Sequence, residues 1–128
     1  MTTTMLPPER TRGLGELIRA HRLYLGMSQR GMAEKLGKAR RDYQRIEGDH
    51  DSCPAGLLTV IVAVVHEFEE AVDDLAERIR DGETELHVDA DDEWARAVHG
   101  RAAVEASLAW NTDVHLTATS SEPKDDPR

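Results

Sequence analysis

The sequence predicts a mainly α protein: three short helices, a long helix after them, and a small strand–helix–strand extension towards the C-terminal end. Three observations carry that expectation. Apolar residues recur at three- and four-residue steps over 14–25 and again over 57–79, the spacing that lays one stripe along a helix. Gly26, Gly37 and Gly82 punctuate those stripes, and helices commonly end at a residue that turns left-handed, usually glycine. Beyond Gly82 the pattern changes to two short strand-like stretches around one further helical stretch.

Residues 1–10, with two prolines and three threonines and no period, are expected to form a flexible arm. Leu14, Leu17, Ile18, His21 and Leu25 then mark helix 1, which Gly26 ends before Met27 re-enters the core. Ser28 is a good N-cap for helix 2, Gln29 to Leu36, with Met32, Ala33 and Leu36 inward and Gly37 as its stop. Helix 3 follows from about Arg40 to Glu47, burying Tyr43 and Ile46 and leaving Arg40, Arg41, Gln44 and Arg45 outside. Pro54 suits the first turn of the next helix, where its missing N–H would be unpaired anyway.

The run Leu57 to Val65 is rich in β-branched residues and alone would pass for a buried strand. Length decides against it, because Leu57, Ile61, Val64, Phe68, Val72, Leu75 and Ile79 continue one stripe, as one long helix or two abutting ones would. Thr84 to Val88 reads as a strand and Asp91 to Ala109 as a helix with Trp94, Val98, Val104 and Leu108 on one side. Asp113 to Thr117 reads as a second strand, and 119–128 as a disordered tail. Two short strands are unstable alone, so they pair with each other, pair with a second subunit, or do not form.

Composition bounds the function. At 128 residues and 39% hydrophobic content the chain has room for one core with a small appendage. No apolar run reaches the ~18 residues that span a bilayer, and the start Met-Thr-Thr-Thr lacks the basic and apolar features of a signal peptide. A cytoplasmic protein is expected, with no membrane partner. The single Cys53 permits no intrachain disulfide and reads as a small packed residue. The six histidines show no i, i+4 pair, so neither a metal nor another cofactor is expected. Asp91-Asp92-Glu93 opens a helix, where acids favour the positive dipole end, and that placement accounts for them without catalysis. No phosphate loop and no nucleophile with its base is visible, and the chain reads as no enzyme.

Charge is divided unevenly. Residues 1–47 hold ten bases and five acids, a net of +5, whereas 48–128 hold six bases and twenty acids, a net of −14. A chain built this way can turn one basic face to phosphates while the rest repels them. Lys35 and Arg30 read as solvated charges, but Arg40, Arg41 and Arg45 share the outer face of one short helix. Asp42 among them can either orient an arginine or accept from a cytosine N4 of a nucleic-acid partner.

Ser28-Gln29 opening helix 2, the small Ala33, Gly37 in the turn and Ile46-Glu47 closing helix 3 form the strongest constellation in the chain. Ala33 lets helix 3 cross closely over helix 2, and Tyr43 with Ile46 locks the pair from below, so that the outer face of helix 3 stands proud. Together with Arg22, Met32-Ala33, Leu36-Gly37 and Arg45-Ile46-Glu47, this segment resembles the phage-repressor and Cro-type, or Xre-like, helix-turn-helix family over about residues 12–66. Arg41 to Glu47 and Cys53 to Leu58 are similar to small actinobacterial and actinobacteriophage members of it. The segment departs from the family pattern in the five residues, not four, between Arg22 and Ser28, in Ala39 at the usual Ser or Thr cap before helix 3, in Lys38 at a usually apolar turn position, in Gly31 within helix 2, and in Gly48-Asp49 where Asn-Gly is common.

The resemblance implies a four-to-five-helix DNA-binding domain over 11–66 that reads the major groove of double-stranded DNA with helix 39–47. It places Gln29 at a phosphate or an adjacent base, Arg40, Arg41, Gln44 and Arg45 towards the groove, and Lys38 and Arg19 on phosphates. Arginine there implies guanines in the site, since its planar fork reaches O6 and N7 together. Arg22 and Glu47 match the family's ion pair between helix 1 and the end of helix 3, a structural role. The function so implied is a repressor-like transcriptional regulator on the nucleoid.

The acidic region 67–118 is then expected to serve dimerisation or interaction, with Phe68, Val72, Leu75, Ile79, Trp94 and Trp110 as candidate dimer contacts. A homodimer would set two recognition helices about 34 Å apart and select a near-palindromic site. A different class remains beside it: an interaction module of antitoxin or anti-repressor type, whose acidic half binds a protein partner.

Overall fold

The computed structural model describes residues 13–120. The expected arm at 1–10 and the tail beyond Ser120 lie outside the described residues. The chain is mainly helical with one small sheet, in the order α1 (Gly15–Leu25), α2 (Gln29–Leu36), α3 (Arg40–Glu47), α4 (Leu57–Arg80), β1 (Glu85–Asp89), α5 (Glu93–Trp110) and β2 (His115–Thr119). It divides into two units between His66 and Glu67, within α4. Among the described residues no helix is long and apolar enough to cross a membrane.

In the first unit, α1 buries Ile18 and Leu25, α2 buries Met32 and Ala33, and α3 buries Tyr43 and Ile46, with Ile61 and Val64 of α4 also inside. Leu17, expected inward, is 45% exposed. It lies one position beside the Ile18 to Leu25 line, while the half-buried His21 turns its ring Nδ1 to the Leu17 carbonyl at 2.8 Å. Gly26 and Gly37 end α1 and α2 with φ of 71° each. In both places the following N–H reaches back to a carbonyl five residues earlier: Met27 to Arg22 at 3.2 Å and Lys38 to Ala33 at 2.8 Å. Those bonds satisfy carbonyls that a helix end leaves open. Pro54 lies ahead of α4, not in its first turn: its carbonyl accepts from the Leu57 N–H at 3.1 Å.

The predicted stripe is continuous in α4, one helix of 24 residues, and Leu57, Ile61, Val64, Phe68, Val72, Leu75 and Ile79 are all buried. The second unit packs α5 on a two-stranded parallel sheet, with Glu85 opposite His115 through to Asp89 opposite Thr119. The strands therefore pair within one chain. β2 runs two residues later than expected, so Thr119, read from the sequence as the start of the tail, is its last residue.

Two sequence expectations are corrected in this unit. The buried stripe of α5 is Val98, Ala102 and Ala106, at strict four-residue steps, while Val104 and Leu108 are 55% and 82% exposed. Val98 is inside as expected, but Val104 and Leu108 drew the later half of the expected stripe to the wrong face, because the inner positions there are the alanines Ala102 and Ala106. The expected dimer contacts Phe68, Val72, Leu75 and Ile79 are core residues of the chain itself, each under 5% exposed. Phe68 instead meets Trp94 edge to face at 5.6 Å, an arrangement aromatic pairs prefer. Trp110 is exposed and lies under the Arg80 guanidinium at 5.6 Å.

Candidate nucleic-acid interface

The candidate interface is the outer face of α3 and the polar network beneath it. Ser28 Oγ accepts from the Gly31 N–H at 3.0 Å and so starts α2. Gly37 then reverses the chain, and Ala33, 1% exposed, leaves room for α3 alongside. Ala39 precedes α3 in extended conformation with no side-chain cap, which forgoes about 1 kcal/mol of local stability.

Glu47 is the hub. Its side chain is 4% exposed and that of Arg22 is 12% exposed. Arg22 donates from Nε to Oε2 at 2.8 Å and from Nη2 to Oε1 at 3.0 Å, and its Nη1 donates to the Met27 carbonyl at 3.0 Å. Tyr43 donates its hydroxyl to Oε2 at 2.5 Å, and Gln29 donates Nε2 to Oε1 at 2.8 Å. Gln44 in turn donates Nε2 to the Gln29 Oε1 at 2.9 Å. One buried carboxylate thus gathers α1, the loop after it, α2 and α3, and every lone pair has a donor near it.

The titration of the hub follows from those contacts. Burial pushes the Glu47 carboxyl up, but the hydrogen bonds from Arg22, Tyr43 and Gln29 outweigh it and hold the group below the usual carboxylate range. Burial and then the bond to Glu47 push the Tyr43 phenol well above its ordinary value. The bond to Glu47 raises the Arg22 guanidinium against its own burial.

On the outer face, Arg40 and Arg41 are exposed and make no hydrogen bond or ion pair among the described residues. Arg45 faces out as well, but its guanidinium meets Asp51 at two points, Nε to Oδ2 at 3.0 Å and Nη2 to Oδ1 at 3.2 Å. The hydrogen bonds to Asp51 raise its basicity further. Lys38 is half-buried in the turn, and Arg19 on α1 pairs with Glu16 at 3.1 Å. Exposed guanidinium groups on one short helix can donate in parallel to guanine O6 and N7 or meet phosphate oxygens. Gln29 and Gln44, expected at the DNA, have their amides joined to each other, and Gln29 is held by Glu47. Their first duty in this structure is to fix α3 on α2.

The sequence reading missed the joint that sets α1 against the end of α3. A Cβ on Gly15 would come within 2.3 Å of the Glu47 carbonyl oxygen, so only glycine fits there. The Gly15 N–H donates to Asp49 Oδ1 at 3.1 Å. Asp49 itself takes a φ of 63°, where aspartate is among the few side chains tolerated. The substitution of Gly48-Asp49 for Asn-Gly was the available signal: the aspartate takes the left-handed turn and adds a cap for α1.

Compared with known protein families and with curated proteins, the chain matches none.

Proposed function

We propose that this chain is a sequence-specific double-stranded DNA-binding protein of Xre-like helix-turn-helix type, a repressor-like transcriptional regulator that works as a homodimer on the nucleoid, in the cytoplasm. The observation that carries the reading is one eight-residue helix: α3 turns Arg40, Arg41 and Arg45 outward while Tyr43, Ile46 and Glu47 lock it from beneath. A helix held rigidly from behind with cations in front suits the ~12 Å major groove. Held from beneath, the helix backbone carries all three guanidinium groups on one face.

Selection of binders from a random duplex pool, with the wild type beside an Arg40→Ala/Arg41→Ala/Arg45→Ala variant at two salt concentrations, tests it. A guanine-containing motif enriched by the wild type and lost in the variant is expected. Recovery of the same motif by both proteins would overturn the assignment of α3, and no enrichment at either salt would overturn DNA reading itself.

A second reading draws on the second unit. Glu67, Glu69, Glu70, Asp73, Asp74 and Glu77 are all exposed along α4, a face that would suit a basic protein partner, as in an antitoxin or anti-repressor. Failure of the duplex selection together with a partner captured through residues 67–118 would favour it.

A further inference from the structure

We propose that two copies of this chain join through the outer edge of β2, antiparallel about Thr117, so that each two-stranded sheet becomes half of a four-stranded one. The inference rests on the reading that the chain acts as a homodimer, and it names the surface that joins the copies. A sheet of two strands is marginal by itself, and here β2 is exposed at all five positions, with Leu116 at 39%.

The backbone register fits a second copy. The His115 N–H donates to the Thr84 carbonyl at 2.8 Å, and the Thr119 carbonyl accepts from Ala90 at 2.9 Å. Residues 115, 117 and 119 therefore spend their backbone groups on β1, and by the alternation of a ladder Leu116 and Ala118 point theirs to the open edge. A two-fold axis at Thr117 sets each Leu116 opposite an Ala118. Both are outward-facing residues, so the pair exchanges N–H and carbonyl twice, once on each side of the axis, with none left over. Each His115 then lies opposite a Thr119.

Charge selects this edge and this occupant. The same operation on the edge of β1, about His87, would set Glu85 opposite Asp89, like charges directly facing, which repel. Such charges are how edge strands are normally guarded, and β2, reading His-Leu-Thr-Ala-Thr, has no carboxylate at all. Residues 67–120 hold fifteen acids and four bases, so most of this unit repels its own copy. A basic partner would seek those acids and not a neutral strand, whereas an uncharged strand of matching register is what a second copy brings. Beside the start of β2, Val104 and Leu108 of α5 line an open depression of 250 Å³ with Thr112, Asp113 and Val114.

Sedimentation of the full chain without DNA, over a concentration series, tests the proposal against Ala118→Pro. Proline there removes an outward N–H and leaves the β1 ladder intact, a placement that edge strands tolerate. A wild-type dimer whose dissociation constant rises about a hundredfold in the variant is expected, since symmetry removes the bond twice. Added salt should tighten the wild-type dimer by screening its acids, opposite to its effect on DNA binding. A wild type that is monomeric throughout would overturn the pairing altogether. A variant that dimerises as the wild type does would overturn this edge while leaving the homodimer reading intact. If Ala118→Pro loses the wild-type circular dichroism, Leu116→Lys, which sets a charge on the same edge, decides by the same two outcomes.

Discussion

Arg22 and Glu47, twenty-five residues apart in sequence, meet through two parallel hydrogen bonds of 2.8 and 3.0 Å and join α1 to the last turn of α3. The pair is nearly buried, so its worth depends on both members being present. Replacing one partner of a buried pair strands the other charge and costs about 3 kcal/mol. Glu47→Gln should therefore lower the urea midpoint of unfolding with little change in slope. An unchanged midpoint would mean that the network does not hold the first unit together.

The same carboxylate sets an acid limit. Because the folded state holds the Glu47 pKa below its unfolded value, the folded protein binds fewer protons, and its contribution is complete above the ordinary carboxyl range near ~4.3. It fades as pH falls through that range towards the folded value. Urea midpoints measured from neutral to acid pH should fall more steeply for the wild type than for Glu47→Gln.

Arg45 is tied to Asp51 in the free protein. Releasing it by Asp51→Asn both frees a guanidinium fork and removes a carboxylate from the basic face. Duplex affinity in gel shift should rise several-fold at low salt, with the salt slope steeper by about one ion. Equal affinity and slope in the two proteins would show that Arg45 stays clear of the DNA.

Two glycines should respond with opposite sign. Gly15→Ala forces a Cβ against the Glu47 carbonyl oxygen and should destabilise by about 1–3 kcal/mol. Gly100, in α5, has open space where a Cβ would go, and Gly100→Ala should stabilise by about 0.5–1 kcal/mol through helix propensity. Thermal unfolding of both variants checks the contrast.

Much of this arrangement is legible in the sequence because periodicity and punctuation agree. Ser28, Gly26 and Gly37 fix the ends of α1 and α2, and the stripe from Leu57 to Ile79 outweighs the β-branched run inside it. What the sequence hides is which of several apolar faces is covered. In α5, small Ala102 and Ala106 pack inward while Val104 and Leu108 face out, and size alone points the other way. Phe68 and Ile79 look available for a partner only until α5 and the strands are folded into the same unit. Gln29 and Gln44 share a similar ambiguity: a glutamine near an exposed helix face can reach outward or inward, and only three-dimensional distance shows that Gln29 turns to Glu47 and Gln44 to Gln29.

The assignment of α3 as the reading helix is tested most directly by mapping backbone amide shifts of the labelled full chain on addition of a short guanine-rich duplex. Shifts concentrated at the start of α2 and along Arg40 to Arg45, and abolished by the triple arginine variant, are expected. Shifts confined to residues 67–120, or none at low salt, would contradict it.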